Sequence, residues 1–130
     1  MDEFVADAHA LIWYFTDSPK LGLAATRAFD AADRGEAIIH VPAIALAEMY
    51  YSNVKIGFPI DFADTYRQLD NGDQFVLTPF EAEDVLDFDR DSAVSEMHDR
   101  MIVGLARRLG CPLLTVDKNI TASGSVETIW

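Results

Sequence analysis

The sequence predicts an α/β fold, a parallel sheet covered by helices on both faces, three layers in all. Two observations carry that expectation. Short apolar runs recur along the chain, each followed by a segment of helical length. Those runs are continuous rather than alternating, which is the pattern of parallel strands buried on both faces. At 130 residues the chain has the size of a single domain whose core needs no disulfide or metal staple. Residues 1–130 are therefore read as one domain.

The elements follow in order. Phe4–Ala6 is a first buried strand, and a helix is expected around Ala10–Phe15, broken by Ser18-Pro19. Leu23–Arg34 reads as a helix with Leu23, Phe29 and the alanines inward. Ala37–Val41 is a second strand, and Pro42 suits the first turn of the next helix. That helix, about Ala43–Asn53, is almost wholly apolar and is ended by Gly57-Phe58-Pro59. Phe62, Tyr66 and Leu69 mark another helix, closed by Asn71-Gly72. Phe75–Leu77 is a third strand, and Pro79–Phe88 opens a helix with Glu81, Glu83 and Asp84 near its positive end. Met97–Leu109 is a longer helix with Met101, Leu105 and Leu109 at i, i+4 spacing, capped by Gly110. Leu113–Val116 is a fourth strand and Val126–Ile129 a fifth.

Composition narrows the function classes. Half the residues are hydrophobic and 11% aromatic, which excludes general disorder. Ten basic against 22 acidic side chains give a net charge of −12. Such a chain lacks the broad basic surface of a sequence-independent duplex-DNA binder. It can still be a nucleic-acid enzyme, because divalent cations invert the local field of an acidic cleft. The lone Cys111 excludes an internal disulfide and a cysteine-based zinc site, and reads as a small buried apolar residue in a reducing compartment. Met1-Asp2-Glu3 is acidic where a signal peptide is basic, and no apolar run approaches the ~18 residues of a membrane span. A cytoplasmic protein with no membrane partner is the expectation.

Several familiar sites are absent. No Gly-x-Gly-x-x-Gly follows the first strand, no Gly-Lys-Ser/Thr is present, and no Gly-x-Ser-x-Gly occurs. His9, His40 and His98 lack zinc-motif spacing.

Carboxylates remain. Those in clusters such as Asp84-Asp87-Asp89-Asp91 read as a charged surface. The informative acids stand in apolar company. Asp7 directly follows the first strand, Glu48 is the only charged residue between Val41 and Val54, and Asp117 follows Leu113-Leu114-Thr115-Val116. Asp99 opens the Met97–Leu109 helix. A desolvated carboxylate must be paired, neutralised or metal-bound. Pairing with Arg100, Arg107 or Lys118, or helix capping by Asp99 and Asp7, accounts for each acid singly. Taken together, Asp7 and Asp117 lie at one sheet edge if their strands are parallel, and ligands bind at that edge in such sheets. Carboxylate oxygens converging there suit a hard ion, Mg²⁺ or Mn²⁺.

Three stretches carry a family resemblance: Asp7-Ala8-His9-Ala10-Leu11-Ile12-Trp13; Ala43-Ile44-Ala45-Leu46-Ala47-Glu48; and Glu96-Met97-His98-Asp99-Arg100-Met101-Ile102-Val103 followed by Leu113-Leu114-Thr115-Val116-Asp117. In order, spacing and length the chain resembles the PIN-domain ribonucleases, most closely the VapC-type toxins of toxin–antitoxin pairs. The resemblance implies sheet order 3-2-1-4-5. It implies an acidic metal site of Asp7, Glu48, Asp99 and Asp117, and Mg²⁺- or Mn²⁺-dependent hydrolysis of RNA. It also implies a homodimer and a cognate antitoxin protein. The chain departs from the pattern at Ala8, where relatives often carry Thr, and at Gly104-Leu105-Ala106, where relatives often carry Thr before the last Ala. Neither removes an acid.

Secondary candidates are Thr115, whose hydroxyl either points at the site or belongs to an ordinary strand, and Glu96, a helix-start acid. Arg100 either touches a phosphate, pairs with Asp99 or faces solvent. His9 and His98 read as packed or capping residues, and Trp13, Tyr14 and Phe15 as core or dimer contacts rather than base-stacking platforms. The rival reading is a catalytically silent PIN-like module that binds RNA or protein. A receiver domain or phosphatase is disfavoured, since Phe75-Val76-Leu77-Thr78-Pro79 carries no acid and no nucleophilic Asp-x-Asp follows a strand.

Overall fold

Five parallel strands form one sheet in the order β3-β2-β1-β4-β5 in the computed structural model, which describes residues 1–57 and 59–130. The strands are β1 (Asp2–Ala6), β2 (Ala37–Pro42), β3 (Phe75–Thr78), β4 (Leu113–Leu114) and β5 (Thr128–Ile129). The α-helices are α1 (Ala8–Phe15), α2 (Leu23–Asp33), α3 (Ala43–Lys55), α4 (Phe62–Asn71), α5 (Met97–Leu109) and α6 (Lys118–Ser123). Successive residues of a strand face opposite sides of the sheet. Val5 and Ala6, Leu113 and Leu114, and His40 and Val41 are all buried, so both faces are covered at the centre. This is the α/β class and strand order expected.

The register places the carboxyl ends side by side. Val5 pairs with His40 on one flank and with Leu113 on the other, and Ala6 pairs with Leu114. Helix α5 packs on β1, α2 on β2 and α4 on β3. Gly110 sits at φ 66°, the left-handed conformation that terminates α5 at little steric cost.

Several local expectations need correction. Pro42 is the last residue of β2 and the N-cap of α3, not part of its first turn; its ψ of 139° is extended. Leu23 is 68% exposed, because it opens α2 before the helix meets the sheet. The buried stripe of α5 is Ile102, Val103, Leu105 and Ala106, while Leu109 at the helix end is exposed. Strands β4 and β5 are two residues long each, and α6, whose six residues carry no strong apolar period, has no counterpart in the sequence reading. Phe58, placed at the break after the third helix, lies outside the described residues.

The largest difference is at 79–91. The expected α-helix is a 3₁₀ helix over Ala82–Asp91, opened by a capping box between Glu81 and Asp84. Asp84 and Asp87, three apart, eclipse on the tighter helix and both reach Arg108, at 3.2 and 3.4 Å. Asp91 is fully buried and accepts from Arg107 Nη2 at 2.6 Å and Nε at 3.2 Å. Asp84 and Asp91 are thus ion-paired with α5 rather than part of a solvated acidic surface.

The pair fixes the 3₁₀ helix to α5. Asp91→Ala strands a partly buried guanidinium and is expected to lower stability by about 2–4 kcal/mol, read by urea unfolding. A loss below about 1 kcal/mol would show that the pair contributes only as a surface ion pair does.

Candidate active site

Strands β1 and β4 end together, and each hands the chain to a helix start. Asp7 is the N-cap of α1, its Oδ1 accepting from the Ala10 N–H at 2.9 Å. Asp117 is the N-cap of α6, its Oδ1 accepting from the N–H groups of Asn119 and Ile120 at 2.8 and 3.0 Å. Thr115 joins the two. Its buried hydroxyl donates to Asp7 Oδ2 and accepts from the Asp117 N–H at 3.1 Å. Asp99 stands in the first turn of α5, and Glu48 projects from the middle of α3, which packs against both α1 and α5.

Asp7, Glu48, Asp99 and Asp117 line one cavity of about 300 Å³. Ala8, His9, Trp13, Ile102 and Val116 complete its wall, so no lysine or arginine enters it. The electrostatic consequences are graded. Burial pushes Asp7 up, opposed by the hydrogen bonds from Thr115 and Ala10 and by His9. Burial, then the charge of Asp99, pushes Glu48 up to about 7. Burial, then the charges of Asp117, Glu96 and Asp7, pushes Asp99 up to about 6. Four carboxyls around one cavity, with no lysine or arginine in its wall and only the His9 ring to offset them, are an all-oxygen donor set suited to a hard divalent cation.

Two secondary candidates stand elsewhere. Glu96 is the N-cap of α5 and accepts from the Asp99 N–H at 2.8 Å, with His98 Nδ1 at 2.6 Å. Slight burial pushes its carboxyl up, but the N–H groups of Asp99 and His98 and the His98 ring outweigh this and hold it below its usual value. Arg100 turns away from the cavity and donates to the backbone carbonyls of Val94, Phe88 and Ser92. It neither pairs with Asp99 nor faces a phosphate, because the loop before α5 needs its donors. His98 therefore pairs rather than packs.

Sequence reasoning missed two cavity residues. His9 is exposed, not packed, and lies 5.4 Å from Trp13 between ring centroids. Trp13 packs on the core like Tyr14 and Phe15, yet one side of it opens into the cavity. The i, i+4 relation of the two rings was available, but which way that edge of α1 faces was not. Glu3, His40 and Cys111 also come together, toward the amino-terminal ends of β1 and β4, with ligand atoms within 4.8 Å of one another. Motif spacing could not show this trio, since adjacent strands assemble it. His40 Nε2 is already hydrogen-bonded to Glu3 at 2.8 Å, and burial pushes the Cys111 thiol up, toward its protonated form.

An acid-lined cavity at the carboxyl edge of a parallel 3-2-1-4-5 sheet defines an α/β protein with a candidate cation site. The PIN domain model matches residues 4–123, and the chain belongs to the PIN-domain family. No curated protein matches the chain. Among solved structures it is similar to Mycobacterium tuberculosis VapC20, described as a sarcin–ricin-loop-cleaving toxin (TM-score 0.70, 12% identity, 96% of this chain and 98% of that one). It is similar to VapBC2 from Rickettsia felis, described as bound to a DNA fragment from their promoter (0.67, 13%, 98% and 97%). It is also similar to FitAcB from Neisseria gonorrhoeae (0.68, 13%, 98% and 96%). At these identities the likeness is one of fold.

The raised carboxyls have a measurable sign. A carboxyl that titrates higher folded than unfolded stabilises the fold while protonated and loses that contribution as pH rises toward its folded value. Without divalent ions, Glu48→Gln and Asp99→Asn are expected to unfold at higher temperature than wild type at pH 8. The difference should shrink to nothing near pH 4, below both folded values. Thermal scans in EDTA across that range check it; a wild type as stable as both variants at pH 8 would remove the mutual repulsion.

Proposed function

We propose that the protein is a Mg²⁺- or Mn²⁺-dependent ribonuclease, the toxin of a toxin–antitoxin pair, acting in the cytoplasm. The observation that carries this reading is the convergence of Asp7, Glu48, Asp99 and Asp117 on one cavity whose wall holds no lysine or arginine. Membership of the PIN family and fold likeness to VapC20 support it. Likeness to VapBC2 supports an antitoxin as partner. A homodimer belongs to the same reading. Among the described residues no helix is long and apolar enough to cross a membrane.

In this mechanism Asp7, Asp99 and Asp117 would hold the cation, which would supply Lewis acidity toward a phosphodiester. Asp7 reaches the site already oriented, because Ala10 fixes one oxygen and Thr115 the other. Asp117 has one oxygen engaged by α6. Glu48 faces the cavity from α3, away from any helix terminus, and orients the attacking water through its carboxylate. Thr115 is a positioning residue that sets the Asp7 rotamer.

The test is cleavage of end-labelled structured RNA by antitoxin-free protein, with Mn²⁺ or Mg²⁺ and with EDTA. Asp7→Ala and Asp99→Ala are expected to lower cleavage by about 100-fold or more while remaining folded. Calorimetric titration of Mn²⁺ should show its binding weakened in the same variants. An Asp7→Ala protein that binds no metal yet cuts at the wild-type rate would refute the site. Folded wild-type protein that binds RNA without cutting it would favour a silent binding module.

A further inference from the structure

A second cavity of about 250 Å³ adjoins the acidic one and shares His9 and Trp13 with it. It runs between α1 and α3 and is completed by Ile12, Lys20, Ser52, Lys55 and Ile56. Ser52 and Lys55 stand four and seven residues after Glu48 on α3, so they continue the Glu48 face by one and two turns. His9 and Trp13 are one turn apart on α1. The acidic cavity and this groove therefore meet at His9 and Trp13, and the character of the lining changes from one to the other.

The change is from anionic to cationic. The chain has only three lysines, and two of them line this groove. Five of the seven arginines are in ion pairs with acids, and Arg100 is spent on backbone carbonyls. Among the described residues neither Lys20 nor Lys55 is in an ion pair, and both are exposed. In a protein of net charge −12, two lysines outside any ion pair beside a half-buried tryptophan are a local departure from the acidic surface. Lys20 Nζ lies over the Trp13 ring, 5.8 Å from its centroid, and the Trp130 ring packs at a steep angle to it, 5.6 Å between centroids. Lys20 sits on a flexible, exposed stem and swings off the ring face to admit a base there.

We propose that this groove is a nucleotide subsite for single-stranded RNA, which holds the unpaired nucleotide next to the scissile phosphate. Trp13 stacks on its base and His9 forms the edge of the platform. Lys20 and Lys55 contact its phosphates, while the neighbouring phosphodiester lies over the acidic cavity. Base stacking on an aromatic ring tolerates any base, and a paired strand cannot present its bases this way. The subsite therefore selects loops and single strands over duplex, with little preference for base identity. The inference rests on the ribonuclease reading above.

The probe is a short fluorescein-labelled single strand of RNA, with its fully paired duplex as comparison, bound by wild-type protein in Ca²⁺. The variants are Lys20→Ala/Lys55→Ala, which changes only exposed side chains, and the conservative Trp13→Phe. The single strand should bind more tightly than the duplex. The double lysine variant should weaken single-strand binding by about tenfold. It should also flatten the log–log salt dependence by about 1.4, the loss of two phosphate contacts on a single strand. Tryptophan fluorescence should be quenched on binding in wild type and not in Trp13→Phe, where Trp130 remains. If wild type cuts RNA with Mn²⁺ but the lysine variant binds with unchanged affinity and salt slope, the subsite is wrong and the nuclease stands. If folded wild type neither binds nor cuts RNA, the subsite falls with the nuclease reading. If the lysine variant changes the mass in solution and not RNA affinity, the groove joins two copies and the proposal is overturned.

Discussion

The short hydrogen-bond relay from Asp7 through Thr115 to the backbone of Asp117 is the constraint on which the site depends. It locks the end of β1 to the end of β4, and both strands release their chains as helix N-caps at that point. Helix N-termini carry partial positive charge and unpaired N–H groups. The sheet edge therefore gathers carboxylates where the backbone itself partly offsets them. Glu48 lies outside that provision, in the middle of α3, and its carboxyl is the one pushed up to about 7. Asp99, in the first turn of α5, is pushed up to about 6, and burial is the first cause for both acids.

Stability in this protein is supplied away from that edge. The Asp91–Arg107 and Asp84–Arg108 pairs fasten the 3₁₀ helix to α5, and a buried apolar cluster runs from β1 across β2 and β4. Asp84, Asp87 and Asp91 there each face an arginine. At the cavity the opposite rule holds, with like charges kept together and unpaired. A ligand that brings positive charge to these carboxyls stabilises the folded state by binding it.

Much of the fold was legible because its strands are continuous apolar runs and its helices begin and end on readable residues. Asp7, Glu48 and Asp117 were legible as odd residues in apolar company. What remained hidden depended on partners far along the chain. Asp91 reads like its solvated neighbours until Arg107 is placed beside it. Arg100 reads as a phosphate contact until the carbonyls of the preceding loop are seen to claim it. Glu3, His40 and Cys111 meet only across three strands. Trp13 is apolar enough to be core, and only the course of α3 decides which of its edges is left open. The 3₁₀ helix was hidden for another reason: acids at three-residue spacing suit either helix type, and the arginines of α5 decide between them.

The bond between Thr115 and Asp7 spans 108 positions of the chain. The first acid is thus made 108 residues before the threonine that orients it. A growing polypeptide that already displays Asp7, Glu48 and Asp99 still has no β4 to set beside β1, so it has no assembled cavity. Parallel pairing across such a separation is slow to form. The cavity is therefore assembled only once residues 113–117 have been made, however much earlier its other acids appear.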